Sequence, residues 1–414
     1  MLYKPIIENQ IKINNICFPS SIMIKLTNRC NFKCGFCSQG EAKNTSIDID
    51  TVKKILDEAK MYGVSEIVYS GGEPLLYSNF EEVISYGKQQ GLVQTLVTNG
   101  YFLDQYMAVV KDNISHIGIS LHGDEKTHDE AVGFSGAYHK IVQNIEAVSA
   151  CDKVPQLTLN FTITENNVHA IHEVITFAKM HKCTLSVARL NQIGKSSQNE
   201  KIKQTIDEFF AGISDESDIR VSNVIPVCQM QSNKRHLSHG CSAGIASVCI
   251  DADSTVRICG SATHSFGSLS EHSLYEIWNN QDFQRFRSLE WMPSLCKNCR
   301  DFAKCLGGCK AEHYENSYSD SRDCLLSMAI EDFYHRCENG KLVPLFKSIR
   351  RIYDGYVLLG NPNRIVDEEA ITLLRALIKK HNINEVIAEI EEPKRKQAVE
   401  LMYGMYKDQL IAIR

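Results

Sequence analysis

The sequence predicts an α/β chain: a partial (β/α)6 barrel of the TIM type, then a loop-rich, cysteine-rich domain, then a small α+β module. Three observations predict it. Over residues 20–190, short β-rich runs alternate with amphipathic stretches at helical spacing. Between 228 and 330 that periodicity fades, and nine of the sixteen cysteines gather there. After 340 it returns, as one strand and two helices.

In the first region the expected strands are 22–26, 66–70, 93–98, 116–121, 156–164 and 184–190. The expected helices between them are 50–62, 80–90, 103–111, 138–150 and 168–181. The helix from Asp50 sets Val52, Ile55, Leu56 and Ala59 on one face, and Asp48 or Asp50 suits its N-cap. Repeated βα units with β-branched strands imply a parallel sheet with right-handed crossovers. Ligands of such sheets bind at the C-terminal ends of the strands. Residues 191–227 read as a polar helical bridge. In the last region 356–359 reads as a strand, with helices near 367–380 and 393–407. The domains are therefore expected at 1–190, 191–227, 228–338 and 339–414.

Composition narrows the function. Net charge is −5, which gives no electrostatic case for nucleic acid or an anionic membrane. No apolar run approaches membrane-spanning length, and residues 1–10 have no signal-peptide core, so a cytoplasmic protein is expected. In that setting abundant cysteine points to metal binding or catalysis rather than disulfides.

Cys30, Cys34 and Cys37 are spaced C-x3-C-x2-C directly after the first expected strand. Chance spacing of this kind is expected about 0.02 times in a chain of this composition. Three thiolates on a four-iron cluster leave one iron open, where such clusters normally take four cysteines. An open iron can chelate the amino and carboxylate groups of a methionine moiety. A zinc site with a fourth ligand elsewhere, or buried structural cysteines, are the alternatives. Gly71-Gly72-Glu73-Pro74 follows the second strand. Its glycines allow close backbone approach, and its carboxylate can accept from an ammonium.

On these residues the segment 20–190 resembles the radical SAM superfamily. The resemblance implies a [4Fe–4S] cluster on Cys30, Cys34 and Cys37 that cleaves S-adenosylmethionine (SAM) to a 5′-deoxyadenosyl radical. It places Phe36 against the adenine, and Gly71, Gly72 and Glu73 against the SAM amino group. It places Ser120 near the carboxylate or ribose, with a capping or surface serine as the alternative; Arg189 is a candidate partner of the carboxylate, with a structural ion pair as the alternative. Two positions depart from the family: His122 replaces an aspartate, and Val132 replaces an arginine. The catalytic group on the substrate side is unknown; His122 and His264 qualify only by residue type.

Downstream, Cys296-x2-Cys299-x5-Cys305-x3-Cys309 forms a dense array, with Cys241 and Cys259 before it and Cys324 after it. This resembles the SPASM domain of radical SAM peptide maturases. The resemblance implies two auxiliary [4Fe–4S] clusters. One lies on Cys241, Cys259 and Cys309, with Cys228 or Cys249 as fourth ligand or an open position. The other lies on Cys296, Cys299, Cys305 and Cys324. Two zinc sites are the alternative, since spacing does not identify the metal. Residues 339–414 resemble a winged helix of the pyrroloquinoline-quinone chaperone type, which binds precursor-peptide leaders; a helical bundle packed on the barrel is the alternative.

The expected function is oxidative modification, such as cross-linking, of a ribosomally made precursor peptide, with flavodoxin or ferredoxin as electron donor. A sulfatase maturase is disfavoured because Gly260-Ser261 follows Cys259 where those relatives carry an aspartate. A small-molecule radical dehydrogenase, or a non-catalytic Fe–S or zinc scaffold, would also accommodate these cysteines.

Overall fold

The computed structural model describes residues 17–38, 44–151, 155–190, 202–211, 219–221, 226–227, 230, 234, 237, 240–289, 291–292, 296, 302–312, 314, 333–338, 340–345, 348–352, 355–359, 364–366, 368–407 and 411–414. The barrel strands are β1 (Ser21–Thr27), β2 (Glu66–Gly71), β3 (Gln94–Thr98), β4 (His116–Ser120), β5 (Gln156–Ile163) and β6 (Thr184–Arg189). Each lies within a residue or so of its expected span. The helices are α1 (Ile49–Met61), α2 (Phe80–Gln89), α3 (Leu103–Asn113), α4 (Glu125–Val132), α5 (Ala137–Ser149) and α6 (Ile171–Met180).

Local chemistry explains these elements. In α1, Val52, Ile55, Leu56 and Ala59 are all buried, and Asp48 caps the helix by accepting from Thr51 N at 3.1 Å. The extra helix is α4. Its sequence EKTHDEAV is mostly polar, so it carries no apolar stripe to read. Its ends are nonetheless well marked: Asp124 caps the start by accepting from Thr127 N, and Gly133 closes it in the left-handed region at φ +65°.

All six strands pair in parallel and in sequence order. The sheet also extends at both edges. After the helix α7 (Ile202–Ala211), a short β7 (Ile219–Val221) adds beside β6. Beside β1, β8 (Ser247–Ile250) pairs in parallel, followed by antiparallel β9 (Val256–Arg257). The cysteine-rich region is therefore not hung loosely beside the barrel; two of its strands continue the barrel sheet. Among the described residues three short helices follow: α8 (Leu274–Trp278), α9 (Gln281–Ser288) and α10 (Phe302–Cys305). One hydrophobic core runs from Ile22, Ile24 and Leu26 through to Trp278, Phe283 and Phe286.

The C-terminal region has a second core. It opens with β10 (Leu342–Pro344). An antiparallel meander, β11 (Ser348–Ile352), β12 (Gly355–Leu359) and β13 (Arg364–Val366), precedes three helices. These are α11 (Glu368–Lys380), α12 (Ile383–Ala388) and α13 (Glu392–Lys407). The chain then closes with β14 (Ile411–Ile413), antiparallel to β10. Phe333 and Cys337 pack in this second core with Leu342, Ile371, Leu374 and Met402, so the core reaches back before residue 339.

Candidate active site

The loop after β1 carries the first three cysteines. A register shift between Lys25 and Thr27 ends the regular pairing with β2 and sets Thr27 opposite Gly71. The loop rests on the C-terminal end of α4, where Lys33 N donates to Val132 O at 2.9 Å and Gly35 N to Ala131 O at 3.3 Å. Phe32 anchors it among Tyr101 and Phe134, with ring centroids 5.9 and 5.4 Å away. Asn99 Nδ2 donates to Asn31 Oδ1 at 2.8 Å, tying the loop to the end of β3.

Cys30, Cys34 and Cys37 line one cavity of about 580 Å³ together with Phe36, Ser70, Gly71, Gly72, Thr98, Ser120 and His122. This cavity sits at the C-terminal ends of β1 to β4, where a parallel sheet places its ligand. The three thiols sense one another electrostatically. Burial, then the charges of Cys30 and Cys37, push Cys34 up to about 12, and burial pushes Cys30 up as well. Thiols so placed ionise when a metal supplies the positive charge. Three half-buried thiols that line one cavity fit a cluster with one open position.

The glycine motif is built differently from the sequence expectation. A Cβ on Gly71 would stand 2.3 Å from Thr27 O, and one on Gly72 2.3 Å from Arg29 O. Gly72 N donates to Thr27 O at 2.7 Å and Glu73 N to Arg29 O at 2.8 Å. The close approach that requires glycine is thus to the cluster loop itself. The carboxylate of Glu73, expected to face a ligand amino group, is fully buried. It accepts from Leu75 N at 3.0 Å, Thr98 Oγ1 at 2.7 Å and Asn99 N at 2.8 Å. Three donors outcompete an outside partner, so Glu73 binds β2 to β3. Burial raises its pKa to about 7, against the pull of those donors.

His122 is the informative departure. It is buried, and its Nδ1 accepts from Thr162 N at 3.2 Å. Burial, reinforced by His128, lowers its pKa to about 3, so the ring is neutral and its proton sits on Nε2. Its own backbone N–H donates to His128 Nδ1 at 3.1 Å, and Phe36 packs edge-on at 4.7 Å. A fixed N–H donor thus stands beside Ser120 in the cavity wall, where the family pattern has a carboxylate.

Arg189 does not line this cavity. Its guanidinium grips Glu312 with two bonds, Nη1–Oε1 at 2.7 Å and Nη2–Oε2 at 2.6 Å, both groups buried. Of the two readings of Arg189, the structure shows the internal ion pair, which joins β6 to the cysteine-rich region. Nothing local in the chain marks Glu312 as the partner, because the two lie 123 residues apart.

In that region Cys309 is buried and feels the charges of Cys259 and Cys241. Cys249, fully buried in β8 with its pKa pushed up to about 12 by burial, feels Cys259 as well. Cys241, Cys259 and Cys309 are thus brought together, with Cys249 beside them. Cys305 lies near Gly307 and Gly308, whose backbone N–H groups favour its thiolate while burial opposes it. Both glycines are left-handed, at φ +80° and +79°. Cys296 packs beside Met292 and Phe302. Cys228, Cys299 and Cys324 lie outside the described residues. A donor set of sulfur alone, with Cys305 and Cys309 buried and Cys241, Cys259 and Cys296 half-buried, suits iron–sulfur clusters.

Sequence reading also missed Lys310, which follows Cys309 and is fully buried. Burial lowers its pKa, while Cys241, Cys309, Cys305 and Cys259 raise it. A lysine next to a ligand cysteine was the available signal. Nor did it find Asp251, which joins Lys25 and Arg257 at 3.0 Å each and ties β1 to β8 and β9.

Residues 24–178 match the model of the radical SAM superfamily, and residues 241–300 that of the SPASM iron–sulfur cluster-binding domain. Over 315 residues the chain is 26% identical to the PqqA peptide cyclase of Gluconobacter oxydans, covering 71% of this chain and 86% of that protein. The fold is similar to that of Streptococcus suis SuiB bound to its precursor peptide SuiA, with a TM-score of 0.58 at 19% identity over 72% of this chain and 73% of SuiB. It is also similar to anSMEcpe with bound AdoMet and the Cp18Cys peptide, with a TM-score of 0.53 at 18% identity over 72% of this chain and 95% of that one.

Proposed function

Since this chain is a radical SAM protein with a SPASM domain, we propose that it modifies a ribosomally synthesised precursor peptide by abstracting a hydrogen atom from one of its residues. The observation that carries the reading is the single cavity shared by Cys30, Cys34, Cys37, Phe36, Gly71, Gly72, Ser120 and His122. When bound there, a [4Fe–4S] cluster with one open iron supplies the electron that splits the sulfonium of SAM. The protein's own part is to hold and orient. Gly71 and Gly72 bring the backbone against the cluster loop, Phe36 offers an aromatic face, and Ser120 and His122 offer polar groups. A second cavity of about 880 Å³ shares Phe36 with the first and runs past Gly35, Thr164, Asn166, Asn167 and His169. It gives a peptide segment room beside the cofactor.

The peptide as substrate rests on the relatives: a peptide cyclase matched over most of its length, and a maturase of the same fold solved with its precursor. The C-terminal meander followed by three helices suits a winged-helix recognition module. An extended leader would add a strand to the meander's edge. Auxiliary clusters on Cys241, Cys259 and Cys309, and on Cys296, Cys299, Cys305 and Cys324, would take the electron left on the substrate once the new bond forms. A flavodoxin or ferredoxin would supply the SAM-site cluster.

The test is co-expression with the short peptide reading frames that neighbour the gene, followed by mass spectrometry. A cross-link removes the mass of two hydrogens from a single peptide. Unchanged masses for all such peptides, in cells where the enzyme cleaves SAM, would refute the peptide reading.

A further inference from the structure

Two cavities border α4, and Glu130 lines both. One is the cavity of about 880 Å³ that meets the cofactor cavity at Phe36. The other, of about 630 Å³, follows α4 and the turn after it, from Asp124 to Ser135. The neighbouring carboxylates are engaged within the chain. Asp124 accepts from Thr127 N at 2.8 Å, and Asp129 accepts from Tyr138 N at 2.9 Å and from Gly136 N. Glu125 pairs with His139 at 2.9 Å. Glu130 is different. It is exposed, and among the described residues it has no ion pair and no side-chain hydrogen bond. Lys126 stands four residues before it on the same helix, in the less favourable order for such a pair, and no ion pair joins the two.

This position works against the helix. Glu130 lies in the last turn of α4, which ends at Gly133. Backbone carbonyls gather there with partial negative charge, and an anion is disfavoured. Two of those carbonyls, of Ala131 and Val132, hold the cluster loop through Gly35 N and Lys33 N. Glu165 and His169 also line the larger cavity, and among the described residues no lysine or arginine does. An unpaired carboxylate at a negative helix end, in the cavity beside the cofactor site, is arranged to receive a cation. We propose that Glu130 is a specificity residue that holds a lysine or arginine side chain of the precursor peptide, close to the residue that is modified.

The inference rests on the peptide reading above and narrows it to peptides with a basic residue near the modified one. The larger cavity leads from Phe36 to Glu130, so a residue placed at the cofactor brings its chain neighbours past this carboxylate. An ammonium or guanidinium gains a charge-assisted hydrogen bond there. An acidic side chain meets Glu130, Glu165 and the helix end, and is repelled.

The test uses the full chain, reconstituted without oxygen, and the precursor peptide that co-expression shows to be modified. Each lysine and arginine of that peptide is changed to glutamine in turn and assayed with wild type and Glu130→Gln. One of these changes should lower kcat/KM about tenfold with wild type, mainly through KM, and should have no further effect with Glu130→Gln. Glu130→Arg should recover part of the loss for the peptide that carries glutamate at that position. The thermal midpoint of Glu130→Gln should stay or rise slightly, since an anion leaves the last turn. A drop in that midpoint would mark Glu130 as structural and overturn the proposal. So would a modified peptide in which no lysine or arginine couples to Glu130. If wild type cleaves SAM yet modifies no peptide, the peptide reading itself fails, and this inference with it.

Discussion

At the scale of single residues, the motif after β2 works inward. Gly72 lies so close to Arg29 O that a methyl group has no room, and the atom in its way is backbone. Gly72→Ala should therefore displace the cluster loop and cost at least tenfold in SAM affinity, read by equilibrium binding to the reconstituted protein. Glu73 gives a pH signature. Its carboxyl titrates near 4.3 when unfolded and at about 7 when folded, because burial outweighs its three donors. Between those values the native state holds a proton that the unfolded chain has lost. Its contribution to stability therefore falls as pH rises through that window, by about 4 kcal/mol in all. Glu73→Gln, which cannot ionise, should lose that slope, so its thermal midpoint should gain on wild type between about pH 5 and 7.5. His122 supplies a third case. With Nδ1 occupied by Thr162 N–H, only Nε2–H is left to donate into the cavity. His122→Phe keeps a ring against Phe36 and removes that donor. SAM binding should weaken about tenfold, the worth of one hydrogen bond of about 1 kcal/mol or a little more.

At the scale of elements, the two pieces that sequence reading kept apart are bound as one body. β8 pairs with β1, and the Lys25–Asp251–Arg257 cluster lies across that join. Although burial raises the Asp251 pKa, Lys25 and Arg257 hold it below the usual carboxylate range. On the opposite side of the sheet order, Arg189 of β6 grips Glu312. Removing one member of such a buried pair strands the other, at a cost of about 3–5 kcal/mol. Arg189→Met should lower the thermal midpoint accordingly, and adding Glu312→Leu should restore most of it; an additive cycle would show that the pair is not coupled. The barrel strands were legible because each is a β-branched run with a buried alternate face, as Ile22, Ile24 and Leu26 are in β1. The polar α4 was not, because only its caps and its contact with the cluster loop define it. β8 was hidden for another reason. SVCI is four residues long, and nothing local says that its partner is the distant β1.

At the scale of the whole molecule, the chain holds a large core shared by the barrel and the cysteine-rich region, and a separate core at the C-terminal end. The second core takes in Phe333 and Cys337, with Cys296 packed against it, so a cut after residue 332 removes that core whole while a cut at 339 leaves two of its members behind. The shorter chain should keep SAM cleavage and lose most peptide modification, measured side by side as 5′-deoxyadenosine and modified peptide. Among the described residues no helix is long and apolar enough to cross a membrane.

The account depends first on Cys30, Cys34 and Cys37 presenting an iron that SAM can reach. Its most direct test is product analysis after anaerobic reconstitution with SAM and a strong reductant. Wild type should form 5′-deoxyadenosine and methionine, and Cys34→Ala should form neither. A wild-type protein with its full complement of iron that leaves SAM intact would contradict it.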